Sequence, residues 1–279
     1  MTFDMSKAWQ NATAMIKANR DVLTVIAGIF FFLPALVTGF AIPPVDPAVL
    51  DDPAALQAAF WASYSDWFWL SALSMLMQVT GILAMLVLLR DRRRPTVAQA
   101  LRAGLKALLP AIGTGLVMAF GIVLVSVAVG TVIALLAASL GVGGSSIVSL
   151  VSTIVGAFFL YAGIRLSLWT PVIAVDGVRN PITVLRRSWR MTRGNALRLA
   201  VFFALLVVVY FVVFIILGML TSALTLVLGE GAGLIIGVLV GGLVGALATM
   251  IFTSVTAAIH RQLSGPWAAP MDLPGDAEG

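Results

Sequence analysis

The chain has 279 residues, of which 61% are hydrophobic and only 10% are charged, with a formal net charge of +5. A mean hydropathy of +1.07 excludes the ordinary soluble class, because uncharged apolar runs of roughly eighteen residues or more are typical of membrane-spanning helices. The absence of cysteine excludes disulfides and thiolate metal sites. The single histidine, His260, disfavours a histidine-based metal centre. We therefore expect an integral membrane protein without a cofactor.

Six apolar runs, taken in chain order, predict six membrane-spanning helices and an all-α fold. The third and fourth runs share the charge-free stretch 107–164, which the turn sequence GVGGSS divides at 141–146. The spans are expected at about residues 22–41, 68–89, 111–140, 146–168, 199–228 and 234–259. We predict one membrane domain over residues 1–262, followed by a polar, disordered tail at 263–279.

The charged residues between the spans are segregated by sign. All seventeen Lys and Arg residues fall in or beside the N-terminal segment, the second and fourth connections and the tail. The other three connections carry only acidic charges, which are Asp46, Asp51, Asp52, Asp66 and Glu230. Because Lys and Arg concentrate in cytoplasmic loops, both termini are predicted to be cytoplasmic.

The first connection is the longest predicted external segment. Asp51 or Asp52 followed by Pro53 is a favourable helix start, so we expect a short external helix there. The aromatic residues Trp61, Tyr64, Trp67 and Trp69 are predicted to anchor the chain at the membrane interface. An aromatic ligand site is the less favoured alternative.

A short amphipathic segment precedes each odd-numbered span, at residues 5–17, 96–109 and 182–193. Each has apolar residues three and four positions apart with basic residues placed opposite, a pattern typical of helices in the lipid headgroup layer. In the third segment the pattern sets Ile182, Leu185 and Trp189 against Arg186, Arg190 and Arg193. We predict three copies of one unit, each a cytoplasmic interfacial helix followed by two spans.

The stretch VLRRSWRMTRGNALR, residues 184–198, holds five arginines in fifteen positions. Basic residues at the membrane surface attract anionic phospholipids by about 1 kcal/mol each. The predicted lipid-binding residues are Arg186, Arg187, Arg190, Arg193, Arg102 and Lys106. The alternative, compatible with the first, is that these charges only fix the topology. Gly194 and Asn195 are expected to end the interfacial helix and start span five.

Two further features lie in the spans. Small residues four apart, including Gly237, Gly241 and Gly245, are predicted to pack span six closely against neighbouring helices. A pore lining or a subunit contact is the alternative. Arg165 lies between two apolar runs, and we favour an anchoring role at the end of span four over a functional buried charge. Asp176 is near enough in sequence to pair with a local arginine.

The segments RLSLWTPVIAVDG (165–177) and NPITVLRRSWRMTRGN (180–195) carry a family resemblance. They resemble the membrane domain attached to some bacterial glycerophosphodiester phosphodiesterases, and the related stand-alone six-helix inner-membrane proteins. The matching residues are Arg165, Pro171, Asp176, Arg187, Ser188, Trp189, Thr192, Gly194 and Asn195. The resemblance implies a bacterial inner-membrane location and a lipid-linked role. It does not carry hydrolase activity, because no phosphodiesterase domain is recognisable in this chain.

The function expected from these features is non-enzymatic. We predict an inner-membrane protein that interacts with anionic phospholipids and contributes to membrane organisation or lipid homeostasis. A channel or facilitator for a small solute or lipid-derived molecule is the alternative, although no span has the central carboxylate of an ion-coupled transporter. Expected partners are phospholipids and a second copy or another membrane protein. Nucleic acid is not expected, because the positive-inside rule already explains the basic loops.

Overall fold

The computed structural model describes residues 2–43, 47–49, 51–90, 96–140 and 145–264. Within these ranges 91% of the residues are helical and no strand occurs, which confirms the all-α prediction. The predicted turn residues 141–144 and the tail from residue 265 lie outside the described residues. The helices are α1 (Met5–Ala27), α2 (Leu33–Ala41), α3 (Pro53–Arg90), α4 (Val97–Leu140), α5 (Ser145–Leu166), α6 (Trp169–Ala174), α7 (Pro181–Met191), α8 (Ala196–Leu228) and α9 (Glu230–Leu263).

Six helical stretches are long and apolar enough to cross a membrane. A short π-helix, Gly28–Phe32, joins α1 to α2 in the first of them. In the most apolar part of α4 no residue is buried, and Leu116 and Phe120 are among its exposed large side chains. In water such a surface would be an unusually large apolar patch, whereas hydrocarbon solvates it. The chain is therefore a multi-pass membrane protein. Each predicted span overlaps one of these stretches, but the predicted fourth span, 146–168, runs past the end of α5 at Leu166 into the turn before α6.

The helices extend beyond the predicted spans at one or both ends. α3 begins at Pro53, where the Asp52 carboxylate accepts hydrogen bonds from the amides of Ala54 (2.9 Å) and Ala55 (3.3 Å). The predicted helix start is confirmed, but this helix continues into span two without a break. Its 38 residues measure about 57 Å, against a hydrocarbon core of about 30 Å.

The three predicted interfacial segments differ from one another. α7 is a separate helix, and α1 kinks at Asn19 (φ −127°, ψ 18°), between the first segment and the first predicted span. The second segment is not separate, because α4 runs through it and past Pro110 as one helix of 44 residues. The Ala and Leu residues preceding Pro110 favour continued helix. The prediction of a distinct interfacial helix at 96–109 is therefore wrong, and the three-copy repeat stays a prediction.

The chain divides into two compact units. One comprises residues 1–12, 110–202 and 255–279, and the other 13–109 and 203–254. We refer to them as unit 1 and unit 2. In unit 2, small residues permit close helix contacts: a Cβ at Gly104 would lie 3.0 Å from the backbone nitrogen of Ala84. The single membrane domain predicted for residues 1–262 stays a prediction.

The small residues of α9 pack differently from the prediction. A Cβ built at Gly237, Gly241 or Gly245 meets no atom of the described residues within 4 Å, so these three do not provide the close contacts expected of them. Close contacts occur instead at Gly242, where a Cβ would lie 3.3 Å from the ring of Phe32, and at Gly233, the first glycine of the stripe, which faces Thr225. Gly242 lies about 100° further around the helix than Gly241. Because α9 is apolar on all sides, its composition does not reveal which face is packed.

Candidate functional site

The segment between α5 and α8 in unit 1 folds through local signals. α6 is followed by Gly177, which has a positive φ of 68° and donates its amide to the Ile173 carbonyl. Asn180 then caps α7, because its side-chain oxygen accepts from the amides of Ile182 (3.0 Å) and Thr183 (3.3 Å). These two signals set the start of the arginine-rich helix.

The end of α7 matches the prediction for Gly194 and Asn195. Gly194 has φ +80°, the left-handed conformation expected after a helix. The Asn195 carbonyl accepts from the amide of Leu199, so Asn195 opens α8. The sequence therefore predicted the end of α7 and the start of α8 correctly.

The face of α7 that packs in unit 1 is formed by residues that the apolar spacing did not single out. Val184, Ser188 and Thr192 are completely buried. Ile182 and Trp189 are exposed, at 57% and 37%. At about 100° per residue, these two apolar positions lie beside Arg186 and Arg190 on the exposed side. The expected opposition of apolar and basic faces is therefore wrong.

The buried hydroxyls of this segment hold the end of α5. The main-chain carbonyl of Arg165 accepts a hydrogen bond from Ser188 Oγ (3.1 Å), and Thr192 Oγ1 lies 3.0 Å from the same oxygen. Carbonyls in the last turn of a helix lack intrahelical donors. Ser188 and Thr192 satisfy this one and thereby join α7 to α5.

The Arg165 side chain is buried, at 4% exposure. Its Cζ lies 4.5 Å from the centroid of the Trp189 ring and 5.9 Å from that of Tyr161. Its Nε has no hydrogen-bond partner, and no carboxylate of the described residues lies within 4.0 Å of the guanidinium. α5 does end beside Arg165, as predicted, but the guanidinium is enclosed against aromatic rings. The anchoring interpretation of Arg165 stays a prediction.

Asp176 joins three separate parts of unit 1. Its Oδ2 accepts from Arg187 Nε at 2.9 Å and lies 3.1 Å from His260 Nε2, whose role depends on the imidazole tautomer. The side chains of Asp176 and His260 are 12% and 2% exposed, and that of Arg187 is 35% exposed. The predicted pairing of Asp176 with a local arginine is confirmed. The contact of His260, 84 residues away, had no signal in the sequence.

The N-terminal segment is held by the same region. The Phe3 amide donates to Asn195 Oδ1 at 2.8 Å, and the Phe3 ring packs edge-on against Phe202. The Gln262 side-chain amide exchanges two hydrogen bonds with the backbone of Asp4, both of 3.2 Å. Phe3 and Gln262 were also missed by sequence analysis.

The structure brings most of the motif residues together. We call this set the motif cluster; it consists of Arg165, Asp176, Arg187, Ser188, Trp189, Thr192, Asn195 and His260. Pro171 lies in the buried run of α6, and Gly194 follows α7. Within the described residues, no group of three or more His, Cys, Asp or Glu side chains could hold a metal ion.

The surface beside the motif cluster is strongly basic. Arg186, Trp189 and Arg190 line an open cavity of about 390 Å³. The described part of unit 1 has only two acidic residues, Asp4 and Asp176. Its nine basic residues are Lys7, Arg165, Arg179, Arg186, Arg187, Arg190, Arg193, Arg198 and Arg261. Arg102 and Lys106, also predicted to bind lipid, are exposed in the first turns of α4 in unit 2.

Comparison with protein-family models, curated proteins and solved structures finds no match for this chain. The likeness to the membrane domain of bacterial glycerophosphodiester phosphodiesterases therefore depends on the motif residues alone. It stays a prediction.

Proposed function

We propose that the protein resides in the bacterial inner membrane with both termini cytoplasmic, and binds anionic phospholipids without catalysing a reaction. In this way it contributes to membrane organisation or lipid homeostasis. The location is supported by the segregation of basic residues and by the motif resemblance.

The observation that carries the proposal is the excess of positive charge in unit 1. Its described part has nine basic residues and two acidic ones. One of those acids, Asp176, is already paired with Arg187. Arg186, Arg190 and Arg193 are exposed on or just after α7. Anionic lipid headgroups are the negative charges available at a membrane surface, and each nearby basic residue contributes about 1 kcal/mol.

The exposed apolar residues of α7 strengthen this interpretation. Ile182 and Trp189 are exposed beside the arginines. An indole is favoured at the boundary between headgroups and acyl chains. A mixed apolar and basic surface therefore fits the headgroup layer better than bulk water.

The test replaces Arg186, Arg190 and Arg193 by Gln and measures co-purified phosphatidylglycerol and cardiolipin by native mass spectrometry. Arg187 is kept, because its ion pair with Asp176 is structural. Three charges at about 1 kcal/mol each, weakened by salt, predict roughly a tenfold loss of anionic lipid. The matched control replaces the exposed uncharged residues Ser6, Gln10 and Asn11 by Ala and is expected to keep the wild-type amount of anionic lipid. Equal anionic lipid on the α7 variant and wild type would contradict the proposal.

Orientation is tested separately with single cysteines, since the chain has none. Cysteines at the exposed positions Ser65 and Gly231 are expected to react with impermeant maleimide added outside spheroplasts. Cysteines at Thr96 and Arg193 are expected to react only after the membrane is opened. Labelling of Arg193→Cys from outside would contradict cytoplasmic termini.

The alternative function, a channel or facilitator, makes a different prediction. It requires the purified protein to increase solute flux across liposomes. We expect no such flux, and no hydrolysis of glycerophosphodiesters. Either activity would overturn the non-enzymatic, non-transport proposal.

A further inference from the structure

We infer that Arg186, Trp189 and Arg190 form a defined site for one phosphate group of a phospholipid headgroup, with Arg165 as a positioning residue behind the indole. The inference rests on the proposed binding of anionic lipid. It goes further than that proposal, because attraction by surface charge alone does not require these residues to hold a fixed arrangement.

The two arginines are placed to hold one phosphate. Arg186 and Arg190 lie four residues apart on α7, so their side chains leave the same side of the helix, and both line the cavity of about 390 Å³. A guanidinium presents planar pairs of N–H donors that match phosphate oxygens. Two guanidiniums one helical turn apart can therefore bind one phosphate from both sides.

Trp189, the third residue lining the cavity, is held in place from within unit 1. Its ring meets Tyr161 edge-on at 5.9 Å between centroids, and the Arg165 guanidinium lies 4.5 Å from the ring centroid. The hydroxyl of its neighbour Ser188 donates a hydrogen bond to the Arg165 carbonyl at the end of α5. The indole is thus fixed before any ligand arrives, and its exposed part offers an apolar surface for the glycerol and first acyl carbons beside the phosphate.

The buried charge of Arg165 gives a second, independent reason to expect an anion. An enclosed guanidinium is costly unless a negative charge lies near. No carboxylate of the described residues lies within 4.0 Å of Arg165, and Asp176 is already engaged by Arg187 and His260. A phosphate in the cavity adjoining Trp189 would supply negative charge next to the ring on which Arg165 rests.

The decisive experiment uses charge-preserving substitutions in the full chain, with phosphatidylglycerol added at low molar ratio and occupancy read by native mass spectrometry. Arg186→Lys with Arg190→Lys keeps every charge but removes the paired donors. We expect its occupancy to fall roughly fivefold or more, and Trp189→Leu to have a similar effect. The control is Arg179→Lys with Arg193→Lys, since neither residue lines the cavity. This control should bind as wild type does.

The outcomes separate this site from the general proposal. Wild-type occupancy in the Arg186→Lys/Arg190→Lys variant would overturn the defined site, while the Gln variants would still decide whether charge alone attracts anionic lipid. Millimolar inorganic phosphate is added in a second arm. Failure to displace the lipid supports a headgroup site, whereas complete displacement would overturn the lipid assignment in favour of a soluble phosphate.

Trp189→Phe distinguishes a folding defect from a binding defect. Phe keeps a ring for Arg165 and Tyr161 but presents less surface to the cavity. Intermediate occupancy with wild-type thermal stability supports the site. Full occupancy in this variant and in Trp189→Leu would show that the indole takes no part.

Discussion

The motif cluster and the aromatic face of α3 are held together in opposite ways. The aromatic face consists of Phe60, Trp61, Tyr64 and Phe68, whose rings contact one another along the same helix, with ring centroids 5.4–6.4 Å apart. The cluster is instead joined by hydrogen bonds between residues 23 and 84 positions apart, and a bond between residues 192 positions apart ties it to the N-terminal segment. Both regions stand out in the sequence, but only the motif cluster is held together by contacts between residues far apart in the chain.

The aromatic face of α3 and the motif cluster also differ in how exposed their side chains are. Phe60 and Trp61 are 60% and 58% exposed, whereas the polar residues Ser188 and Thr192 are completely buried. Measured along α3, Trp67 and Trp69 lie about 35 and 32 Å from Arg90, near the far boundary of a hydrocarbon core of about 30 Å. Trp61 lies about 44 Å away. The interfacial-belt prediction therefore suits Trp67 and Trp69 better than Trp61.

The largest effect is expected from breaking the cluster at Asp176. Asp176→Asn removes the charge that pairs with Arg187 and faces His260. A fully buried pair costs about 3–5 kcal/mol when one partner is removed, and we expect about 2–3 kcal/mol because Arg187 is partly exposed. The measurement is the unfolding free energy in detergent. Asp66→Asn, at an exposed site on α3, is the control, and equal stability of the two variants would refute the structural role of Asp176.

A second test asks whether the stability cost of a larger side chain on α9 depends on tertiary contacts rather than on residue type. Gly242→Leu places a side chain against Phe32 and Ala35, whereas Gly241→Leu points into open space. Both changes gain the same helix propensity, so their difference reports packing alone. We expect Gly242→Leu to be less stable by about 2 kcal/mol. The original stripe prediction would be restored if Gly241→Leu proved the more damaging change.

The third test releases the N-terminal segment from the cluster. Asn195→Ala removes the acceptor of the Phe3 amide, which has a buried hydrogen bond of 2.8 Å. We expect a loss of about 1 kcal/mol and faster hydrogen exchange for residues 3–8. Asn11→Ala, at an exposed position of α1, should leave exchange unchanged. Unaltered exchange in both variants would show that the tether does not order the segment.

The smallest effect is expected on the aromatic face. Replacing Phe60 and Trp61 together by Ala removes their ring contacts with each other and with Tyr64. Pairs three and four positions apart contribute about 0.2–0.5 kcal/mol each, so the two such pairs predict a loss of about 0.4–1 kcal/mol in unfolding free energy. A loss comparable to that of Asp176→Asn would reveal a packing partner for this face.

The sequence by itself determined the membrane class, the six spans and several of the residues at which helices begin or end. Apolar runs must be helical in hydrocarbon, since no water is present to satisfy the backbone. Asp52 and Gly194 act on amides and dihedral angles within a few residues of themselves, so their effect is visible in the sequence. The pairing of Asp176 with an arginine was also foreseeable, because Arg187 is only eleven positions away.

Only the tertiary structure decided which faces pack and which distant residues meet. α9 is apolar on all sides, so nothing in its composition distinguishes Gly241 from Gly242. On α7 the packed face contains the polar residues Ser188 and Thr192, which are buried because an orphan carbonyl at the end of α5 accepts their hydrogen bonds. The approach of His260 to Asp176, and of Phe3 to Asn195, depends on how helices far apart in the chain come together. A single hydrogen bond between distant residues has no periodicity or spacing that sequence analysis could detect.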